Sequence, residues 1–297
     1  LSIGVINYLD GALLWPDQHG GERVESGVAI ISQSSNIAIN MTMAARGLPI
    51  AYMACVGNQA QTGLAEIGAA LANDDRVTAI GFYIEGVGDP AAFFEMAQTA
   101  GKPIVALKAG RSEAAQAATI SHTASLAGSD AASRAFFTRA GIPLVESQPE
   151  VLETLKLHHI AGPLHGRGIC SVSCSGGVAS LAADAAEPRD LHFPKLSSED
   201  ETRIAATLNE YVSITNPLDY HTFIWGDQDK LTNCFTAVMR SNFDLTMFIF
   251  DFPRADRCSV EDWAPATAAI KAAARRTGNK AAAVAGNADP YDALLDD

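Results

Sequence analysis

One histidine in this chain stands where chemistry is usually done. His122 lies in the run Thr119-Ile120-Ser121-His122-Thr123-Ala124, between Ser121 and Thr123. A strand-like segment, residues 103–107, precedes it, and Ser129-Asp130 follows, either of which can cap a helix beginning near residue 131. Small-residue loops beyond the carboxyl ends of strands are where α/β proteins gather their reacting groups. An imidazole there can accept a phosphoryl group and pass it on. A lone histidine is more often a surface or hydrogen-bonding residue, so its surroundings must carry the argument.

Two turns supply what a phosphorylated histidine needs. Ser32-Gln33-Ser34-Ser35-Asn36 follows the apolar run 28–31, and Ser173-Cys174-Ser175-Gly176-Gly177 follows the run 169–172. Each leads into a helical stretch. Small residues admit a ligand to the backbone, and a helix start presents unpaired N–H groups and the positive end of its dipole. Ser32, Gln33, Ser34, Ser35 and Asn36, with Ser175, Gly176 and Gly177, are the candidate phosphate-binding residues. Either turn alone reads better as an ordinary tight strand-to-helix connection; two such turns with a phosphorylatable histidine shift the balance toward a phosphate cradle. Glu85 closes the apolar run 77–84 just before Gly86, a position suited to facing a site.

The elements that must position these residues alternate. In the first half, strands are expected at 28–31, 49–56, 77–84, 104–107 and 142–145. Helices are expected at 37–46, 64–72, 90–100, 131–140 and 149–158. This alternation implies a parallel sheet with helices on both faces. The stretch Ala161-Gly162-Pro163-Leu164-His165-Gly166-Arg167-Gly168 reads as a linker. Beyond it the pattern restarts, with strands at 169–172, 245–250 and 281–284 and helices at 178–186, 199–208, 229–240 and 261–276. The two turns form a weak internal echo. The expectation is therefore α/β, two consecutive flavodoxin-like (Rossmann-like) domains at 1–160 and 168–297.

Composition agrees with a globular chain able to bury two cores. The 297 residues are 48% hydrophobic and 19% charged. A net charge of −13 disfavours nonspecific binding to nucleic acid or anionic membranes, so neither partner is expected. Cys55, Cys170, Cys174, Cys234 and Cys258 form no disulfide framework and no zinc spacing, which suits reduced thiols in the cytoplasm. No apolar run approaches a membrane span. The chain opens at Leu1 without a methionine, which suggests a fragment or processed chain.

The run Lys108-Ala109-Gly110-Arg111-Ser112-Glu113, with Ser121-His122-Thr123 and Leu126-Ala127-Gly128-Ser129-Asp130, resembles the phosphohistidine segment of the NDP-forming acyl-CoA synthetases. That superfamily includes the succinyl-CoA synthetases. Ser32 to Asn36 and Ser173 to Gly177 match the family's two helix-opening turns, with Ser35 in place of a usual glycine. Val56-Gly57-Asn58-Gln59 matches a Leu-Gly-Asn element, with Gln59 where a lysine is common. Tyr83-Ile84-Glu85-Gly86 matches the element whose glutamate stands beside the active histidine, and Asn216-Pro217-Leu218-Asp219 resembles Asn-Pro-Val-Asp.

The resemblance implies an acid–thiol ligase in which His122 carries the phosphoryl group and Glu85 orients its ring, leaving the other nitrogen nucleophilic. Gly57, Asn58, Ser121 and Thr123 would lie near the acyl or CoA substrate. CoA and ATP/ADP with Mg2+ are implied, with a small carboxylic acid and phosphate. The nucleotide would sit on an ATP-grasp domain or subunit, and a CoA-binding domain would precede Gly4, so an oligomeric assembly is expected. No protein metal site is expected. The competing readings are a noncatalytic CoA- or acyl-binding or regulatory module, and the CoA-ligating part of a lyase.

Overall fold

The computed structural model describes residues 4–115, 129–241, 243–254 and 257–286. The chain divides into two compact units, Leu1–Pro163 and Leu164–Asp297.

The first unit is built on a seven-stranded sheet. Its strands are β1 (Gly4–Asn7), β2 (Ala12–Leu14), β3 (Gly27–Ser32), β4 (Ile50–Cys55), β5 (Val77–Ile84), β6 (Ile104–Lys108) and β7 (Leu144–Val145). They run in the order β2-β1-β4-β3-β5-β6-β7. Strands β4, β3, β5, β6 and β7 pair parallel, which is the flavodoxin order 2-1-3-4-5. Among its described residues the helices are α1 (Ser35–Met43), α2 (Leu64–Ala72), α3 (Pro90–Thr99), α4 (Asp130–Ala140) and α5 (Gln148–Ala161).

The period of two along the strands divides the core into two layers. Ala29 and Ile31 of β3, Ile80, Phe82 and Ile84 of β5, and Ala106 of β6 pack with Leu64 of α2, Phe93 and Met96 of α3, and Phe137 of α4. Their neighbours Val28, Ile30, Ala79, Val105 and Leu107 pack on the other side with Ala38 and Met41 of α1 and Val151, Leu152 and Leu155 of α5. All of β3 and β6 is buried, as expected of central parallel strands. Gly81 admits α5 to the sheet: a Cβ there would lie 2.7 Å from Leu155 Cδ1.

The second unit has a four-stranded parallel sheet of β8 (Ile169–Ser173), β9 (Leu218–Asp219), β10 (Leu245–Phe250) and β11 (Ala281–Ala285), ordered β11-β10-β8-β9. Counted along the chain this is 2-1-3-4, the same order as in the first unit. Helices α6 (Gly176–Ala186), α7 (Ser198–Ala205), α8 (Gln228–Met239) and α9 (Ala264–Thr277) complete it. Its core gathers Phe235 of α8, Phe248 and Phe250 of β10, and Ala269 and Ile270 of α9.

The expected fold class holds, with local differences. The first unit begins with an antiparallel pair, β1 against β2 and β4, that the parallel pattern did not include. Strand β9 falls within the Asn-Pro-Leu-Asp segment, which reads as a turn in sequence. Strand β7 shrinks to two residues because Pro143 cannot donate to the ladder. The helix expected from residue 261 starts as a 3-10 turn, Glu261–Trp263, and becomes α-helical at Ala264 with Pro265 in its first turn. Ser129 caps α4 as its position implies, accepting from Ala132 N–H at 3.2 Å.

A candidate phosphoryl-transfer site at the carboxyl edge of the first sheet

In a 2-1-3-4-5 sheet the crevice opens where the strand order reverses, here between β3 and β5. The residue after β3 is Gln33 and the residue after β5 is Glu85, and the fold brings the two together. Gln33 Oε1 accepts from the backbone N–H of Glu85 and, at 2.9 Å, from that of Gly86. Gln33 N–H in turn donates to Tyr83 O at 3.2 Å.

The ends of β4 and β6 join the same loop. Gln59, in left-handed backbone at φ +57°, donates through Nε2 to Gly86 O at 2.9 Å. Its Oε1 accepts from Leu64 N–H at the start of α2. The turn holding Gly57 and Asn58 is thereby tied to the Glu85 loop; Gly57 is buried and Asn58 exposed. Lys108, the last residue of β6, is buried and donates to Glu85 O at 3.0 Å and to Ala109 O. Burial pulls its ammonium pKa below the ordinary lysine range, and the nearby carboxylates of Asp130 and Glu85 oppose that shift. A charged donor to a carbonyl contributes about 1.5–3 kcal/mol, which offsets part of its desolvation. Glu85 is half-buried, and its carboxylate makes no hydrogen bond or ion pair among the described residues.

The turn after β3 is tightly built. Ser32 Oγ donates to Ser34 O at 2.7 Å and accepts from Ser34 N–H at 3.0 Å. Ser34 caps α1 by accepting from Ile37 N–H at 3.4 Å. Ser35 is half-buried, and Asn36 is exposed.

Beyond β6 and β7 lies an open cleft of about 620 Å³, lined by Tyr83, Lys108, Arg111, Asp130, Arg134 and Glu146 among others. Arg111 pairs with Glu146, and Arg134 reaches both Asp130 (2.8 Å) and Glu146 (3.4 Å). His122, Ser121 and Thr123 lie outside the described residues.

The second unit carries a comparable turn. Ser173 Oγ donates to Ser175 O at 3.0 Å, repeating the Ser32–Ser34 bond. Ser175 stands at the N-cap of α6 but makes no side-chain cap bond, and Gly176 and Gly177 are exposed. A Cβ on Gly176 would lie 3.3 Å from Asp219 Oδ2. Asn216, in contrast, is structural here: its Nδ2 donates to Ile169 O and Pro194 O. Burial pushes the Cys174 thiol pKa up, and the carboxylates of Asp251 and Asp219 add to it.

Sequence reasoning did not single out Gln59 and Lys108, which the fold joins to the Glu85 loop. The usable signal for Lys108 was a lysine closing an otherwise apolar strand. Gln59 gave none beyond its place after Gly57-Asn58. Among the described residues no group of three or more His, Cys, Asp or Glu could hold a metal ion. No described helix is long and apolar enough to cross a membrane.

The strand order and pairing define an α/β core of flavodoxin type. Residues 25–158 match the succinyl-CoA ligase like flavodoxin domain. A trans-feruloyl-CoA synthase from an unidentified prokaryote is 29% identical over 217 residues, 71% of this chain and 31% of that protein. The alpha subunit of acetate–CoA ligase (ADP-forming) II from Pyrococcus furiosus is 32% identical over 196 residues, 65% of this chain and 43% of the subunit. A solved structure of dinucleotide-forming acetyl-coenzyme A synthetase 1 from Ca. Korarchaeum cryptofilum, in complex with phosphate and ADP, shares the fold. Its TM-score is 0.80 at 22% identity, over 95% of this chain and 60% of that one. These likenesses, taken together, support the NDP-forming acyl-CoA synthetase superfamily as the one this chain resembles. It spans less than half the length of these curated relatives.

Proposed function

We propose that this chain is the phosphohistidine core of an NDP-forming acyl-CoA synthetase. The observation that supports this most is Glu85: a carboxylate at the switch point of the first sheet, on a fixed loop, with no bonding partner among the described residues. A carboxylate placed to take the proton of one imidazole nitrogen leaves the other nitrogen as the nucleophile.

The reaction runs in three balanced steps. The His122 imidazole attacks the terminal phosphorus of a nucleoside triphosphate, the P–O bond to the diphosphate breaks, and a phosphohistidine forms. A substrate carboxylate takes the phosphoryl group from His122, giving an acyl phosphate and free imidazole. The CoA thiol, losing its proton, attacks the acyl carbon and releases inorganic phosphate. The turn Ser32 to Asn36 opens α1 and the turn Ser175 to Gly177 opens α6; the backbone amides of Asn36, Gly176 and Gly177 are the donors suited to the transferring phosphoryl group. Gly57, Asn58, Ser121 and Thr123 are assigned to contacts with the acyl and CoA substrates. The nucleotide, and the magnesium that accompanies it, belong to an ATP-grasp domain or subunit. The complete assembly is an oligomer of these parts.

The test is phosphopeptide mapping after incubation with ATP, magnesium and the ATP-grasp partner, at alkaline pH. Acid-labile phosphate on His122, lost in His122→Asn and slowed in Glu85→Gln, is the expected result. Stoichiometric phosphate on the His122→Asn protein would refute the reading.

A further inference from the structure

The two-residue segment Glu85–Gly86 has four backbone polar groups, and side chains from three other strand ends hold all four. Gln33 takes both N–H groups, Lys108 takes the Glu85 carbonyl, and Gln59 takes the Gly86 carbonyl. These side chains follow β3, close β6 and follow β4 respectively. A loop that only had to turn would be satisfied by its own backbone or by water. Here the peptide is fixed from three directions while the carboxylate it carries takes no partner among the described residues. Restraining the main chain and leaving one side chain unengaged is how a protein presents a reacting or orienting group.

We infer that Gln33, Gln59 and Lys108 are positioning residues that set where the Glu85 carboxylate points. This rests on the proposed role of Glu85 and reassigns the Gln33 side chain from phosphate binding to loop positioning. Lys108 adds a buried positive charge beside the same loop, so its replacement alters the electrostatics as well as the geometry. The two glutamines are neutral and isolate the geometric part.

The experiment measures the initial rate of acid-labile phosphate incorporation, across pH, in Glu85→Gln, Gln33→Leu, Gln59→Leu and the two double variants with Glu85→Gln. The ATP-grasp partner, ATP and magnesium are supplied throughout, and thermal melting checks that each variant is folded. Displacing a catalytic group by about an ångström can cost a hundredfold, so each single variant is expected to slow by roughly tenfold or more. Gln33→Leu and Gln59→Leu should distort the pH profile in the same direction as Glu85→Gln, and neither should slow the Glu85→Gln protein further. Rates near wild type in both glutamine variants, with Glu85→Gln slow, would overturn the inference alone. Losses that multiply in the double variants would also overturn it, because the glutamines would then act through something other than Glu85. A wild-type rate in Glu85→Gln would remove the role of Glu85 and the inference with it.

Discussion

At the scale of single residues, the first unit's candidate site is a set of polar side chains at strand ends. Lys108 is the one whose meaning is hardest to read beforehand. A lysine after Ile104-Val105-Ala106-Leu107 looks in sequence like a charge escaping to solvent, because lysines are rarely buried. Folding instead lays it under the Glu85 carbonyl, a contact between residues 23 positions apart. Its turn marks Gln33 as a candidate phosphate-binding residue, but its bonds to the Glu85 loop join residues 52 and 53 positions apart and leave no local trace. The cysteines permit a chemical test. Cys258 is exposed, whereas the Cys174 thiol is half-buried and held above its ordinary pKa. A raised pKa leaves less thiolate at a given pH below it. Alkylation by iodoacetamide at neutral pH, followed by peptide mass spectrometry, should modify Cys258 well before Cys174. The lag should shorten as pH rises, and equal rates at neutral pH would contradict the assigned environment.

At the scale of elements, two connections deserve testing. Helix α5 lies against β5 at a glycine, and Gly81→Val would drive methyl groups into Leu155. Overpacking of this kind costs about 1–3 kcal/mol, to be read as a lower denaturant midpoint with little change in slope. The second is Glu146, after β7, which pairs with Arg111 beyond β6 and with Arg134 on α4. Its hydrogen bond from Arg111 is the main cause holding its carboxyl below the usual glutamate range. A lowered folded-state pKa means stability that is present above the unfolded pKa and lost as pH falls through the folded one. Half-exposed pairs contribute little, so Glu146→Gln should cost about 0.5 kcal/mol near neutrality. Melting curves should show that difference shrinking below about pH 4, the unfolded glutamate range, and shrinking with added salt. A deficit that grew on acidification would reverse the assignment.

At the scale of the molecule, the central strands were legible because they are apolar runs buried on both faces. Residues 28–31, 77–84 and 245–250 announced themselves by composition alone. The pair β1–β2 did not, since β2 is three exposed residues with no buried face to pattern. Strand β9 is two residues long and follows a proline, below what any periodicity can register. The repeated 2-1-3-4 order could not be read from an echo of two short turns, because it depends on which strands become neighbours. Between the units, residues 163–167 are mostly exposed. Limited trypsin digestion should therefore cut after Arg167 and release two fragments, each unfolding cooperatively in a thermal melt. Fragments with no cooperative transition would show that neither unit holds its own core.

The hairpin at the start of the first sheet has a practical consequence. Strand β1 covers the outer edge of β4, whose residues Ile50, Ala51, Met53, Ala54 and Cys55 are all buried. A recombinant fragment trimmed to residues 25–158, the span of the flavodoxin domain, would lose that cover and offer a bare, hydrophobic ladder to its neighbours. Such edges template intermolecular pairing. Light scattering on the trimmed fragment should reveal self-association that the longer one, restored to Gly4, does not show.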